Sequence, residues 1–145
     1  MRFQFCDRVL EIEKKKFISG LKSFSLAEQY HERHFPNRPL VPGVLLIETM
    51  TQFLGWLIIY SYDFSVFSIP SLIRNVEVCP EMRPGFVARV HAEIVSTTQR
   101  DTLGKAWIEV NGVRIAAAER MIYTHLRAAE PEALRELFRY NTGLS

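Results

Sequence analysis

The sequence predicts an α+β fold in which an antiparallel sheet is wrapped around one long central helix. Residues 42–60 are apolar on opposite faces of a 3.6-residue period, a pattern typical of a helix enclosed by protein on most sides. The segments before and after this helix show the alternation and turn residues of antiparallel strands. A sheet that curls around the helix buries both in one layered domain.

The segments before the helix predict a hairpin and a short turn. Residues 9–13 and 16–24 have strand-like patterns and flank a charged turn at Lys14 and Lys15. Ser25 and Glu28 then have capping-box spacing, which predicts a helical turn over residues 26–30.

A proline-rich loop leads into the long helix. Prolines 36, 39 and 42 stiffen the loop because each fixes its own φ and disfavours a helical residue before it. The helix can begin at Pro42 or Gly43 and extend to about residue 60, since proline is tolerated in a first turn. One face carries Val44, Glu48, Gln52, Gly55 and Ile59, and the opposite face carries Leu46, Met50, Phe53 and Leu57.

Strands are predicted again after the helix, over residues 68–78, 86–98, 106–110 and 114–124. Asn111-Gly112 predicts a type I′ hairpin turn between the last two. Residues 131–140 predict a short amphipathic helix with Leu134 and Leu137 facing inward.

Length and composition indicate one globular domain over residues 1–145 and exclude several classes of protein. Hydrophobic residues make up 48% of the chain, which is enough for a large core. A formal net charge of +2, with scattered Lys and Arg, does not indicate a nucleic-acid partner. The two cysteines, Cys6 and Cys79, form neither a disulfide framework nor a zinc motif.

The same features favour the cytoplasm. The first sixteen residues lack the apolar segment of a signal peptide. The helix over residues 42–60 is the candidate membrane span, but Pro42, Glu48 and Gln52 interrupt it, so a buried core helix is the preferred interpretation.

One segment resembles the active site of a known family. It consists of His34-Phe35-Pro36, Pro39, Pro42-Gly43-Val44-Leu45, Glu48 and Gln52. This pattern resembles the β-hydroxyacyl-acyl-carrier-protein dehydratases of the FabZ type, which have the hotdog fold. The resemblance extends over roughly residues 3–126, through FCDRVLEIEKKKFISGLKSFSLAE and the closing RPGFVARVHAEIV and GKAWIEVNGVRIAAAERMIY.

The resemblance implies roles for individual residues. His34 would be the catalytic histidine, Glu48 the catalytic carboxylate, and the Gly43 N–H the group that polarises the thioester carbonyl. Phe35, Pro42, Val44, Gln52 and Arg33 would contact the substrate, with Gln52 equally suited to holding Glu48 or backbone groups in place. In the family, the histidine of one subunit works with the carboxylate of a neighbouring subunit, which implies a homodimer or a higher oligomer. The implied substrate is an acyl chain that acyl carrier protein carries on its phosphopantetheine arm. No cofactor and no metal are implied.

The chemistry agrees with these roles. Removal of water from a 3-hydroxyacyl thioester needs a base for the C2 proton and an acid for the 3-hydroxyl, and a histidine with a carboxylic acid can divide the two tasks. An apolar helix favours the protonated carboxyl of Glu48. Charge that develops on the thioester oxygen is met by the positive end of the helix.

Three departures from the family pattern concern the substrate more than the reaction. Arg33 replaces the usual glycine before the histidine, VCPEM (78–82) replaces a basic FKRP stretch, and Thr49 and Thr51 replace small alanines. Carrier docking is therefore expected to use Arg33, Arg38, Arg74 or Arg83 instead, or to be weaker. The pathway is left open between fatty-acid synthesis and a specialised polyketide or polyene synthesis. Two alternatives to a dehydratase also remain: a non-catalytic acyl-binding partner subunit, and a hotdog acyl thioesterase that hydrolyses the same thioester.

Overall fold

The computed structural model describes residues 4–144. Six strands follow one another as β1 (Arg8–Glu13), β2 (Phe17–Phe24), β3 (Val66–Val78), β4 (Phe86–Thr97), β5 (Asp101–Val110) and β6 (Val113–Arg127). The central helix α1 (Gly43–Ser61) lies between β2 and β3, and α2 (Pro131–Thr142) follows β6. Residues 1–3 and residue 145 lie outside the described part. The start of the resemblance over residues 3–126 and both ends of the domain predicted over residues 1–145 therefore lie outside it too.

The strands form one antiparallel sheet with the order β1-β2-β4-β5-β6-β3. Register shifts interrupt four of the five pairings, for example between Val9 and Glu11 and between Pro70 and Leu72. Such bulges bend a strand and increase its twist. The sheet therefore curls around α1, as the sequence predicts.

Small residues on the inner face of the sheet let α1 approach it closely. Ala88, Ala92 and Ala118 are at most 1% exposed. A Cβ on Gly20 would lie 2.1 Å from the Arg8 carbonyl oxygen and 2.7 Å from a Phe53 ring carbon, so only glycine fits there. The helix residues that fill this space are fully buried: Leu46, Met50, Phe53, Leu54, Leu57 and Ile58.

Most sequence-based expectations for the strands and the long helix are confirmed. The first hairpin matches to within one residue, and α1 spans Gly43–Ser61. Asn111 and Gly112 have φ values of 51° and 79°, as a type I′ turn requires. This helix is also long and apolar enough to cross a membrane, but most of it is buried inside the sheet, as a core helix is.

Three expectations are wrong in detail. The Ser25 hydroxyl accepts a hydrogen bond from Ala27 N–H at 3.1 Å instead of capping a helix, and the helical turn is a 3-10 turn at Gln29–Glu32. The strand predicted from residue 106 begins at Asp101, because the segment from Asp101 to Lys105 pairs with both β4 and β6. Sheet pairing overrides its weak strand pattern.

The third error concerns α2. Leu137, predicted to face inward, is 46% exposed, whereas Phe138 is 4% exposed. The Phe138 ring lies between those of Trp56, Tyr60 and Phe64, with centroid distances of 5.6, 5.5 and 5.2 Å. This aromatic contact sets the rotation of α2 about its axis and leaves Leu137 at the rim.

Candidate active site

The loop that carries His34 is held in a compact turn by its own backbone. Phe35 N–H donates to the Arg38 carbonyl at 3.2 Å, and Arg38 N–H donates to the Phe35 carbonyl at 3.0 Å. The His34 ring stacks on the Phe35 ring at 4.6 Å between centroids. Both side chains are exposed, so the loop presents the imidazole to solvent in a single chain.

The entry into α1 supplies backbone donors. Val41 N–H is tied to the Met82 carbonyl at 2.8 Å, Pro42 occupies the N-cap, and Gly43 is the first helical residue. The Leu45 N–H donates to the Pro42 carbonyl at 2.9 Å, and the Gly43 N–H lies at the very start of the helix, at the positive end of its dipole. A Cβ on Gly43 would lie 2.9 Å from a Val78 methyl, so glycine lets the helix start pack on β3.

Glu48 lies one turn further along α1 in a small polar network. Gln52 Nε2 donates to Glu48 Oε1 at 2.9 Å. The Thr51 hydroxyl donates to the Glu48 main-chain carbonyl at 2.8 Å and lies 3.2 Å from Glu48 Oε2. Gln52 Oε1 in turn accepts from Phe5 N–H at 2.8 Å. The Gln52 amide therefore orients the carboxyl through Oε1, and the Thr51 hydroxyl lies beside the other oxygen.

A buried tyrosine supports the same turn of the helix. Tyr123 OH donates to the Thr51 carbonyl at 2.6 Å, and the side chain is 1% exposed. Burial, and secondarily the charge of Glu48, raises the pKa of Tyr123 well above 10. The phenol therefore remains a proton donor at physiological pH and fixes the backbone beside Glu48.

A cavity of about 410 Å³ opens beside this network. Glu48, Thr51 and Gln52 line one part of it, next to Tyr123. Its apolar part is formed by α1, β3 and α2 through Gly55, Trp56, Ile59, Phe67, Leu134 and Leu137. A polar end with an acid and a long apolar part suit a substrate that has a reactive head and a hydrocarbon tail.

The structure brings some of the predicted site residues together and leaves others apart. Glu48 and Gln52 share the cavity, whereas His34 does not line it. Phe35 borders a different cavity with His31 and Glu28, and Val44 is 68% exposed at the helix start. Within one chain, the imidazole and the carboxyl therefore belong to separate surfaces.

The arginines proposed for carrier docking differ in their surroundings. Arg33, Arg38, Arg74 and Arg83 are all exposed. Arg38 forms an ion pair with Glu81 at 3.3 Å, so the VCPEM segment offsets one of these charges. Arg83 Nη1 donates to the Pro84 carbonyl at 3.3 Å.

Three contributors to the site were missed by sequence reasoning. Tyr123 reads as an ordinary inward residue of β6, and its position beside Thr51 depends on the sheet. Thr51 stands out in the sequence as a departure from a family alanine, and its spacing of three residues from Glu48 is a signal for contact on a helix. The role of α2 in the cavity depends on tertiary packing alone.

Residues 4–144 contain no group of three or more His, Cys, Asp or Glu side chains that could hold a metal ion. His31 is 7% exposed, and neither ring nitrogen has a hydrogen-bond partner within the described chain.

A six-stranded antiparallel sheet curled around a central helix defines the hotdog class of folds. The family model described as a FabA-like domain matches residues 1–119, so the chain belongs to this family.

Known proteins of similar sequence and structure agree with this assignment. The chain is 36% identical over 115 residues to the 3-hydroxyacyl-[acyl-carrier-protein] dehydratase FabZ of Clostridium acetobutylicum. The aligned region covers 78% of this chain and 81% of that protein.

Two solved structures share the fold. The dehydratase heterocomplex ApeI:P from Xenorhabdus doucetiae matches with a TM-score of 0.66 and 12% identity, covering 93% of this chain and 90% of that chain. Thioesterase HI1161 from Haemophilus influenzae matches with a TM-score of 0.62 and 8% identity, covering 83% and 79%. At these identities the likeness concerns the fold alone.

Proposed function

We propose that the protein is a 3-hydroxyacyl-[acyl-carrier-protein] dehydratase, a lyase that removes water from a carrier-bound 3-hydroxyacyl thioester. The observation that carries this proposal is Glu48, oriented by Gln52 and flanked by Thr51 at the polar end of an apolar cavity. Membership of the FabA-like family and the similarity to FabZ support it. Residues 1–145 act as one catalytic domain in this proposal.

The proposed mechanism divides proton transfer between His34 and Glu48. The imidazole of His34 takes a proton from C2, the C3–O bond breaks, and the carboxylic acid of Glu48 gives a proton to the departing hydroxyl, directly or through water. The products are a trans-2-enoyl thioester and water. Proton transfer from the imidazolium to the carboxylate, through water, restores both groups.

The start of α1 stabilises the charge that develops on the thioester oxygen. The Gly43 N–H and the helix dipole are fixed before the substrate arrives, so they need no reorganisation during the reaction. Phe35, Pro42, Val44 and Arg33 surround this entry in the proposal, and Gln52 holds Glu48.

The active site is completed by a second copy of the chain. His34 is exposed outside the cavity that Glu48 lines, so a histidine from elsewhere is needed. β3 is an edge strand of thirteen residues, and its Phe67 and Ile69 are 47% and 40% exposed. A long edge with exposed apolar side chains tends to pair with another chain. A homodimer that pairs these edges supplies the minimal catalytic unit.

The substrate is delivered by acyl carrier protein through its phosphopantetheine arm. Arg33, Arg74 and Arg83 are exposed cations available to an acidic carrier, whereas Arg38 is already paired with Glu81. The pathway is fatty-acid synthesis or a specialised polyketide or polyene synthesis. The proposed location is the cytoplasm, in keeping with two free cysteines.

The activity is tested by hydration of trans-2-enoyl thioesters on acyl carrier protein and by dehydration of the 3-hydroxy partners. Wild type is expected to turn over, and His34→Ala and Glu48→Gln are each expected to lose at least about a hundredfold in kcat, the loss typical of a general acid or base. Glu11→Gln, a change at an exposed residue of β1, is the matched control and keeps its activity. If wild type is folded and binds acyl carrier protein but is inert on acyl groups of every length, the protein would instead be a non-catalytic acyl-binding partner subunit.

A further inference from the structure

Helix α2 lies beyond the part of the chain that defines the family, yet it is firmly attached to the central helix. The family match ends at residue 119, and α2 begins at Pro131. Phe138 packs among three aromatic rings of α1 and of the turn that follows it. The Arg135 guanidinium also lies 4.5 Å from the centroid of the Phe64 ring. α2 therefore has a defined position over the second half of α1.

The cavity beside Glu48 extends along α1 towards this helix. Gly55 and Ile59, which line the cavity, follow Glu48 by seven and eleven residues, or about 10 and 16 Å along the helix axis. Gly55 contributes no side chain, which keeps the groove open at its middle. The groove is thus polar at Glu48 and apolar towards the C-terminal half of α1.

α2 covers the apolar part of that groove along the second half of α1. Leu134 and Leu137 line the cavity from α2, and Trp56 lines it from α1. Asn141 and Gln4 border both this cavity and a larger, more polar cavity of about 720 Å³. Gln4 precedes Phe5, whose N–H donates to Gln52 Oε1 at 2.8 Å, so this polar border lies at the Glu48 end of the groove and the apolar end is the one walled by the leucines.

We propose that α2 sets the acyl-chain length that the enzyme accepts, with Leu134 and Leu137 as the specificity-determining wall. This inference rests on the proposed dehydratase function and deepens it. A shortened side chain at either position lengthens the space for the hydrocarbon tail, and a larger side chain at Leu137 shortens it. Binding energy for each extra methylene is gained only while the groove remains apolar.

The test compares kcat/KM for acyl chains of four, eight and twelve carbons on acyl carrier protein. Leu134→Ala and Leu137→Ala are expected to raise the ratio of twelve-carbon to four-carbon activity about tenfold or more, the size expected for methylene-scale changes in an apolar pocket. Leu137→Phe is expected to lower the ratio. Val95→Ala is the matched control, because Val95 is an apolar residue of β4 that is 59% exposed and lines neither this cavity nor the one on the other side of the two leucines. Circular dichroism establishes that each variant is folded.

Failure of this inference is distinguishable from failure of the proposed function. If wild type is active but both alanine variants keep its chain-length profile within about twofold, α2 does not set the length. If wild type is inert, the same ratio is measured as binding of unreactive acyl-pantetheine amides. A shift towards the longer amide in the alanine variants then supports the role of α2 although the dehydratase proposal has failed, and an unchanged ratio overturns the inference.

Discussion

Replacement of Phe138 by alanine tests how α2 is attached to the rest of the protein. The side chain is 4% exposed and contacts the rings of Trp56, Tyr60 and Phe64. Loss of a buried phenylalanine costs about 3–5 kcal/mol, and each aromatic pair contributes about 0.5–1.5 kcal/mol beyond its buried area. We therefore expect Phe138→Ala to lower the free energy of unfolding by about 4 kcal/mol.

The assay is urea denaturation at one fixed protein concentration, followed by far-UV circular dichroism. Glu136→Ala is the control, because Glu136 lies on the same helix and is exposed. We expect it to change the free energy of unfolding by about 0.5 kcal/mol or less, as exposed positions usually do. Equal values for the two variants would refute the anchoring role of Phe138. A Phe138→Ala variant with an unchanged urea midpoint and a smaller dependence of the unfolding free energy on urea concentration would also contradict the anchoring role, since that dependence reports the area exposed on unfolding.

Three further predictions concern packing, reactivity and pH. Gly20→Ala is expected to lower the free energy of unfolding by about 3 kcal/mol or more in urea denaturation, because the new methyl would lie 2.1 Å from the Arg8 carbonyl oxygen. Gly55→Ala is the control, since its methyl would be 3.5 Å from Ser68 Oγ, and it should change the free energy of unfolding by about 1 kcal/mol at most. Similar losses in both variants would contradict this packing argument. Burial, with a smaller effect of the Asp7 charge, raises the pKa of Cys6 to about 12. A thiol reagent at pH 8 should therefore label half-buried Cys79 in the native protein and Cys6 only after unfolding, as read by mass spectrometry. Rapid labelling of Cys6 in the native protein would contradict this prediction. Burial lowers the pKa of His125 below 6.5, so the unfolded chain takes up the proton more readily and stability falls as the pH drops below about 6.5. Between pH 7.5 and 5, His125→Gln should therefore lose less of its urea midpoint than wild type. An identical pH dependence of wild type and variant would exclude this contribution.

The sequence predicts the strands and the helix well where local pattern and tertiary environment agree. Asn111-Gly112 requires a turn whatever surrounds it, and the two-sided apolar pattern of α1 requires a sheet around it. The segment from Asp101 to Lys105 has no such local signal, because its pairing with β4 and β6 decides its structure. Likewise, Leu137 and Phe138 are adjacent, and packing against Trp56, Tyr60 and Phe64 determines which of them is buried.

The candidate site divides in the same way. Gln52 follows Glu48 by one helical turn, so their hydrogen bond could be expected from the sequence. The contact of Tyr123 with Thr51 joins residues 72 positions apart and depends on the curl of the sheet. The relation between His34 and Glu48 depends on a second chain in our proposal, and no pattern within one sequence reports that geometry.

The measurement that tests the central claim most directly uses a dimer made of two different variants. His34→Ala and Glu48→Gln chains, each with its own affinity tag, are coexpressed, and the mixed dimer is purified through both tags. If His34 of one copy works with Glu48 of the other, one of the two sites is intact, and the mixed dimer should have about half the kcat of wild type per dimer, although each parent has lost at least about a hundredfold. A mixed dimer no more active than its parents, or two chains that never copurify, would contradict a catalytic site shared between two copies.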